Sequence, residues 1–280
     1  MKKIHVNEVI EKIRMACIEA NYKLPNDMLK VLEDKVQQES NELGKEILKD
    51  ICKNAYLAEK ESIPICQDTG TAVVFVKLGQ AVSIEGGLLS EAINEGVRRG
   101  YEEGYLRKSI VENPIYRKNT GDNTPAIIHY DLVSGDEIEM IVAPKGGGSE
   151  NMSKVYMLTP SQGIEGVEQA VLETVRLAGS NACLPMVVGI GIGGNFEQST
   201  LLAKKALMRS VGEGNKDKRM QAIEVTLLKK INALGIGPQG LGGETSALAV
   251  HIEDYPCHIA SMPLAVNIGC HVNRHVTIRF

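Results

Sequence analysis

The stretch Thr71-Ala-Val-Val-Phe-Val-Lys77 is the first part of the chain that has the composition of a β-strand. Its β-branched and aromatic residues favour a strand over a helix. Before it, apolar residues recur at helical spacing through the first 60 residues, with Asn7 and then Asn26 or Asp27 as candidate caps. After it, strand-like and helix-like segments alternate to the end. This stretch therefore separates a helical beginning from a mixed region.

The later segments predict a mixed β-sheet region flanked by helices, so the fold class is mixed α/β. Helical spacing is found over 89–107, 163–178, 197–211 and 218–234. Strand-like runs are found at 127–133, 137–142, 186–190, 246–252, 259–266 and 275–278. Ser134-Gly135-Asp136 between the first two runs predicts a hairpin. We expect a single domain over 1–280, with a helical subregion at 1–62 and an α/β region at 63–280.

Composition excludes several classes of protein. The chain has 280 residues with 31 Lys and Arg against 35 Asp and Glu, a net charge of −4. A nucleic-acid-binding protein usually needs a basic face, so no nucleic-acid partner is expected. No apolar run reaches the roughly 18–20 residues of a membrane helix, and the first residues do not read as a signal peptide. We therefore expect no membrane partner and a cytoplasmic protein, whose thiols are mostly reduced.

The six cysteines divide into groups by their surroundings. Cys17 and Cys52 fall on the apolar faces of predicted helices and are expected to be packing residues. Three others lie in loops rich in Gly or Pro, where a thiolate could be presented: Cys66, Cys183 and Cys270. Cys257, in Tyr-Pro-Cys-His, fits either group. No two cysteines form a C-x-x-C pair, which disfavours a zinc ribbon.

Three widely spaced thiolates could bind a 4Fe–4S cluster with one iron left without a protein ligand. Spacing alone equally allows structural thiols, or a non-catalytic thiol or zinc-binding scaffold. Another alternative comes from Gly189-Ile-Gly-Ile-Gly-Gly194, a literal G-x-G-x-x-G after a predicted strand. That motif suggests a nicotinamide-dependent oxidoreductase. However, no acidic residue ends a second strand at the distance that the dinucleotide fingerprint requires.

Six sequence blocks taken together resemble one family, the class I iron–sulfur-dependent fumarate hydratases. The blocks are Cys-Gln-Asp-Thr-Gly (66–70), Asn-Thr-Gly-Asp-Asn (119–123), Lys-Gly-Gly-Gly-Ser-Glu-Asn (145–151), Asn-Ala-Cys-Leu-Pro (181–185), Gly-Ile-Gly-Ile-Gly-Gly (189–194) and Gly-Cys-His-Val-Asn-Arg-His (269–275). Their order and spacing fit the family from about residue 5 to the end, and Gly235-Ile-Gly-Pro-Gln-Gly240 matches as well.

The resemblance implies a cofactor and a set of site residues. A 4Fe–4S cluster would be held by Cys66, Cys183 and Cys270, and its fourth iron would take the substrate. The implied substrate-binding residues are Gln67, Asp68, Arg107, Gly121 and His258. Among them, Asp68 and His258 would be catalytic. The loop 145–148 would lie against the cluster.

The resemblance also implies a partner and a reaction. Two-subunit members split the enzyme into an alpha and a beta polypeptide, and this chain is similar to the alpha subunit. The beta subunit would supply the catalytic base, in an alpha2beta2 assembly. The reaction would be the hydration of fumarate to L-malate, a step of the tricarboxylic acid cycle. L-tartrate dehydratase alpha subunits resemble the same blocks, so tartrate or another small hydroxy dicarboxylate is the alternative substrate.

Overall fold

A computed structural model describes residues 2–280 of the chain. The α-helices are α1 (Val6–Tyr22), α2 (Asn26–Gln38), α3 (Glu42–Glu61), α4 (Leu89–Glu103), α5 (Gly147–Glu150), α6 (Gly163–Ala178), α7 (Phe196–Ala206) and α8 (Lys218–Asn232). Short 3-10 turns lie at Pro160–Gln162, Gly179–Ala182 and Pro238–Gly240. No helix formed by residues 2–280 is both long and apolar enough to cross a membrane.

The strands alternate with these helices, which confirms the prediction of a mixed α/β fold. They are β1 (Lys2–His5), β2 (Thr71–Gly79), β3 (Val82–Glu85), β4 (Ile127–Val133), β5 (Ile138–Lys145), β6 (Lys154–Leu158), β7 (Met186–Gly193), β8 (Ala247–Tyr255), β9 (Met262–Gly269) and β10 (Val276–Arg279). The described chain divides into two compact units. The first comprises 2–25, 55–147 and 274–280, and the second comprises 26–54 and 148–273.

The sequence predicts a purely helical beginning of the chain, but the structure begins with a strand. β1 pairs in parallel with β3, residue for residue from Lys2 opposite Val82. The cap of α1 is His5 rather than Asn7, because the His5 side chain accepts the Asn7 backbone N–H at 3.2 Å. Asn26 does begin α2, as predicted.

The first unit is built on a four-stranded sheet of order β10-β5-β2-β4. The predicted hairpin between β4 and β5 is wrong, because β2 lies between them, parallel to β4 and antiparallel to β5. The chain does reverse direction at 134–136. However, the backbone N–H groups of 79–81, at the end of β2, donate to carbonyl groups within 133–137. The end of β2 therefore lies between the end of β4 and the start of β5. The turn residues predicted the reversal but not which strand fills the centre.

Two helices cover one face of this sheet and form the core of the first unit. Alternate residues of β2 and β5, among them Val74 and Met140, point to that face and are fully buried. Ile13 of α1 and Ile93 of α4 pack against them and are fully buried as well. The apolar periodicity that predicted these helices therefore marks the face that meets the sheet.

The second unit contains a four-stranded sheet of order β6-β9-β7-β8, in which β7 is parallel to β8 and antiparallel to β9. Met186, Val188 and Ile190 of β7 belong to a core cluster that also includes residues of α6 and α8. The intervening residues of β7 face α7. Because side chains alternate along a strand, the continuous apolar run of β7 reflects burial on both faces.

The division into units differs from the predicted boundary at residues 62 and 63. The first unit takes α1, whereas α2 belongs to the second unit and the boundary falls within α3, between Asn54 and Ala55. Helical periodicity identifies a face that will be buried but does not identify its partner. For α1 that partner includes α4 and β5 of the first unit.

Candidate functional site

The loop 66–70 lies directly before β2 in the first unit, and its Asp68 carboxylate is held by backbone groups. Oδ1 of Asp68 accepts the N–H of Gly70 at 3.1 Å, and Oδ2 accepts the N–H of Gly147 at 2.7 Å. Gly147 follows the end of β5, and the pairing of Thr71 with Lys145 brings that end beside the start of β2. The half-buried carboxylate therefore has a defined position.

Three buried side chains hold the carbonyl groups of the same loop. The Tyr101 hydroxyl donates to the carbonyl oxygen of residue 69 at 2.7 Å, and the carbonyl oxygen of residue 70 lies 3.0 Å from the same hydroxyl. Arg274 donates from Nη2 to the backbone carbonyl of residue 68 at 2.8 Å. Asn123 donates from Nδ2 to the backbone carbonyl of residue 70 at 3.1 Å. These three side chains fix the backbone of the loop. In this conformation Cys66 is half-buried and Gln67 is exposed.

Arg107 lies next to this loop. Its carbonyl oxygen accepts the hydroxyl of Thr69 at 3.0 Å, and its side chain is exposed. The backbone two residues further on, at Ser109, donates to Asn123 Oδ1 at 2.7 Å. The first unit thus brings Cys66, Gln67, Asp68 and Arg107 to one loop cluster.

Gly121 lies two residues from the anchored Asn123, in an exposed turn. Its φ of 84° suits glycine, and a side chain there would meet open space. Its N–H donates to Asn119 Oδ1 at 2.7 Å, so in this conformation that N–H is already used. The turn is held further by Asp122, which binds Arg98 Nε at 2.8 Å. Burial opposes ionisation of Asp122, but Arg98 and the Thr124 donors outweigh it and lower the Asp122 pKa to about 2.

Cys183 and Cys270 are brought together at one end of the second unit's sheet. Val187 pairs with Gly269, so the segment entering β7 and the segment leaving β9 meet there. The backbone N–H of His271 donates to the carbonyl of Cys183 at 3.2 Å, and His271 Nδ1 lies 2.8 Å from the same oxygen. The two thiol-bearing segments are therefore tied through one carbonyl group.

Two further loops of the second unit support this end. Gln239 donates from Nε2 to the Leu184 carbonyl at 2.6 Å and lies 3.3 Å from His271 Nδ1. The buried Glu39 carboxylate accepts the N–H groups of Glu244 and Thr245, each at 2.9 Å. Burial raises the pKa of Glu39, but these backbone donors outweigh that effect and the pKa lies below its usual value.

His258 and Cys257 lie elsewhere in the second unit. Both are exposed in the connection between β8 and β9, and Cys257 Sγ lies 3.3 Å from the Ser261 carbonyl. Cys270 follows the other end of β9, whose 8 residues span about 26 Å. This unit therefore does not bring His258 to Cys183 and Cys270.

The two remaining cysteines are confirmed as packing residues. Cys17 is fully buried and Cys52 is 7% exposed. Burial raises the pKa of Cys17 to about 12 and that of Cys52 to about 11, so both are protonated thiols at neutral pH. Their burial sets them apart from the thiols presented in loops.

The loop cysteines are the candidate donors for a metal centre. Within residues 2–280, no set of three or more His, Cys, Asp and Glu side chains is arranged to hold a metal ion. The donor chemistry of the loops does fit a cluster, because cysteine thiolates are its ordinary ligands. Cys66, Cys183 and Cys270 are free of disulfides and not buried, and the last two are tied together.

The G-x-G-x-x-G motif has a packing explanation. Gly189 and Gly191 lie within β7, and a Cβ on either would overlap a backbone carbonyl of α7, that of Ala203 or of Ser199. The glycines therefore allow close approach of a helix to a strand. A dinucleotide fingerprint instead places its glycines in the turn after the strand.

Several supporting residues were not found from sequence. Asn123, Arg274 and His271 lie inside the six sequence blocks, but the block sequences alone predict no role for them. Tyr101 carries no sequence signal, because a tyrosine on the apolar face of a helix reads as core. Glu39 is similar, since a lone acidic residue beyond a helix end usually faces solvent.

Comparison with known proteins identifies the family of this chain. Residues 10–279 match the family described as fumarate hydratase (Fumerase). A protein of Methanocaldococcus jannaschii named "Putative L(+)-tartrate dehydratase subunit alpha" is 46% identical over 277 residues, covering 97% of this chain and 95% of that protein. The L(+)-tartrate dehydratase subunit alpha of Escherichia coli K12 is 32% identical over 276 residues, covering 98% and 91%.

These matches cover nearly the whole chain and contain every site loop described above. The chain is therefore of the hydro-lyase class of enzymes. It belongs to the fumarate hydratase (Fumerase) family, as the six sequence blocks indicated.

Proposed function

We propose that this chain is the alpha subunit of an iron–sulfur hydro-lyase that interconverts fumarate and L-malate together with a separate beta subunit. The observation that carries the proposal is the loop 66–70, in which a fixed carboxylate follows a half-buried cysteine. The "subunit alpha" names of the relatives support a second polypeptide. Cysteine ligands also require a reducing compartment, which fits the cytoplasm.

We propose Cys66, Cys183 and Cys270 as the ligands of a 4Fe–4S cluster. When bound, the cluster would supply a Lewis-acidic iron for the substrate hydroxyl and an adjacent carboxylate. The chain's contribution is to hold Cys183 and Cys270 together through the Cys183 carbonyl and to fix the backbone beside Cys66. Family membership and the chemistry of these donors support the assignment.

The chain's own residues would bind and orient the substrate, while the beta subunit would supply the catalytic base. Loss of water from a 2-hydroxy dicarboxylate needs proton transfer and charge binding for two carboxylates. Asp68 offers a carboxylate that two backbone N–H groups orient. Arg107 offers an exposed guanidinium beside it, suited to bidentate binding of a carboxylate. Gln67, Gly121 and His258 complete the proposed set, and the role of His258 rests on the resemblance alone.

L(+)-tartrate is the second candidate substrate, because the curated relatives reported above carry that name. Tartrate has a second hydroxyl group where malate has hydrogen, so a site built for one can discriminate against the other. The test is anaerobic co-production of this chain with its beta subunit, followed by assay on L-malate and on L(+)-tartrate. A higher kcat/KM for malate supports the first candidate, and a higher value for tartrate replaces it with the second.

The ligand assignment has its own test, independent of turnover. Anaerobically reconstituted protein is analysed for iron and sulfide and for the visible absorption of a cluster. Cys66→Ala, Cys183→Ala and Cys270→Ala should each lose most of the iron. Cys257→Ala is the matched control, because Cys257 is also an exposed loop thiol. Full iron content in the Cys183 variant would contradict the assignment.

A further inference from the structure

The segment 107–123 forms a small hairpin in the first unit. Its two arms are joined by backbone hydrogen bonds, one of them from the Thr120 N–H to the Ile110 carbonyl at 2.9 Å. The tip of the hairpin is exposed. The proposed substrate-binding residues Arg107 and Gly121 lie at its open end, one on each arm. The structure of this open end therefore decides how the two residues lie relative to each other.

An asparagine side chain links the two arms at the open end of the hairpin. Asn119 donates from Nδ2 to the Lys108 carbonyl at 3.0 Å, and its Oδ1 accepts the Gly121 N–H at 2.7 Å. Lys108 directly follows Arg107 in the chain. One amide group therefore connects the backbone beside Arg107 to the backbone of Gly121.

The backbone on the Arg107 side is held at three consecutive positions. The Arg107 carbonyl accepts the Thr69 hydroxyl at 3.0 Å. The Ser109 N–H donates to Asn123 Oδ1 at 2.7 Å. The bond to the carbonyl of residue 108 lies between these two. The exposed Arg107 side chain therefore leaves the chain from a fixed backbone, which limits the region that its guanidinium can reach.

The two hydrogen bonds of Asn119 need an amide rather than a carboxylate. The side-chain oxygen meets an N–H group, and the NH2 group meets a carbonyl oxygen. An aspartate at this position would place a charged oxygen against the Lys108 carbonyl, and an alanine would remove both bonds. Because the Asn119 side chain is exposed, both variants are expected to fold.

We propose that Asn119 is a positioning residue that fixes the Gly121 turn relative to the backbone of Arg107, so that both can bind the substrate dicarboxylate. The inference rests on the proposed function, which assigns Arg107 and Gly121 to substrate binding. Because its N–H is bonded to Asn119 and a side chain would meet open space, Gly121 offers the substrate room rather than a donor.

This role predicts which kinetic constant depends on Asn119. The proton transfers belong to other groups, so loss of the bridge weakens binding of the ground state and of the transition state alike. Such a loss raises KM and leaves kcat nearly unchanged. A residue that took part in the chemical step would instead lower kcat.

The first test compares variants at two asparagines of the hairpin, in the anaerobic complex of the reconstituted chain with its beta subunit. Asn113 is the matched control, because it is also exposed and its Oδ1 accepts the Ile115 and Tyr116 N–H groups at 2.8 and 3.1 Å. These two bonds hold the tip of the hairpin and not its open end.

Asn119→Ala and Asn119→Asp should each raise KM at least about fivefold, a factor expected for the loss of about one hydrogen bond. KM is measured for whichever of L-malate and L(+)-tartrate the wild-type complex turns over. Both variants should change kcat less than about twofold. Asn113→Ala and Asn113→Asp should leave both constants within about twofold. Circular dichroism and iron content establish that each variant folds and holds its cluster.

Several outcomes of this test would overturn the proposal. Equal effects of the Asn119 and Asn113 variants would show that the hairpin matters only as a folded unit. A raised KM in Asn119→Asp but not in Asn119→Ala would indicate repulsion between the new charge and the substrate. A lower kcat at unchanged KM would place Asn119 in the chemical step. A wild-type complex that turns over neither substrate contradicts the proposed function itself.

The second test examines the bridge without turnover, in the full chain. Amide hydrogen exchange at Gly121 should be at least about threefold faster in Asn119→Ala than in the wild type, because the N–H loses its acceptor. Exchange at Gly121 in Asn113→Ala should match the wild type. Equal exchange in the wild type and in Asn119→Ala would show that Asn119 does not hold the turn and would overturn the proposal, whatever the substrate.

Discussion

Asp68 illustrates how backbone groups on two elements can fix the position of a single side chain. Its two oxygens accept N–H groups from its own loop and from the end of β5. Sequence alone could propose Asp68 and the loop cysteines as site residues, because short blocks carry them. It was insufficient for Tyr101, whose importance lies in a hydroxyl group that only the folded chain brings to the loop.

Asp68→Asn should separate chemistry from structure. The amide oxygen can still accept one backbone N–H but the NH2 group faces the other, so the free energy of unfolding should fall by about 1–3 kcal/mol while the chain stays folded. The amide cannot take part in proton transfer at the substrate hydroxyl as a carboxyl group can, and we expect kcat of the anaerobic complex to fall at least about 100-fold. Asp50→Asn, at an exposed position on α3, is the control. An unchanged kcat in the Asp68 variant would remove the residue from the catalytic set.

Packing between elements explains features that sequence had linked to a ligand. The glycines of β7 allow α7 to approach the strand closely. Their spacing is also that of the G-x-G-x-x-G dinucleotide fingerprint, which is why the sequence suggested a ligand. Helices α2, α6 and strand β2 were predicted within a few residues because their apolar periodicity is strong. Strand β6 and the order of β4, β2 and β5 were not, since partner choice depends on contacts distant in sequence.

Gly191→Ala should test the packing explanation at the level of elements. The new methyl group would overlap the Ser199 carbonyl, and the free energy of unfolding should fall by about 1–3 kcal/mol. Gly148→Ala is the matched control, because its methyl group would lie at an ordinary 3.7 Å from the Asn181 carbonyl. Its effect should stay within about 0.5 kcal/mol. Denaturant unfolding of both variants measures the difference.

Glu39 should make the stability of the 244–245 loop depend on pH. Because the pKa of Glu39 is lowered in the folded protein, its stabilisation is fully present above the unfolded pKa of about 4.3. The stabilisation is lost as pH falls through the folded value. Glu39→Gln should therefore lower the free energy of unfolding at pH 7 by about 1–3 kcal/mol.

The measurement for Glu39 is thermal unfolding of both proteins from pH 7 down to pH 3. The gap between their midpoints should narrow below pH of about 4. Glu46→Gln, on the exposed side of α3, should show no such convergence. A gap that stays constant with pH would mean that the ionised carboxylate is not the source of the stabilisation.

At the scale of the whole molecule, the chain belongs to the fumarate hydratase (Fumerase) family, and our proposal assigns its loops to a cluster and completes the catalytic site with a beta subunit. Family membership followed from six short blocks, each weak alone. The division into two units was not predictable, because residues far apart in sequence, such as 2–25 and 274–280, join one unit.

We expect the isolated chain, once reconstituted with iron and sulfide, to show no turnover of L-malate. Adding the beta subunit under anaerobic conditions should produce fumarate at a rate that saturates as the two polypeptides reach equal amounts. Addition of a beta subunit to the Cys270→Ala chain should give none. Turnover by the reconstituted chain alone would show that all catalytic groups reside in these 280 residues.

The position of β2 between β4 and β5 has a consequence for how the protein is made. A local hairpin of β4 and β5 could close in about 1–10 μs, much faster than pairing with a distant strand. Such a hairpin would occupy the edge that β2 needs. On the ribosome, however, β2 emerges some fifty residues before β4 and can be present when its neighbours arrive. Synthesis from the amino terminus therefore favours the native strand order, whereas refolding of the full-length chain exposes it to a competing local pair.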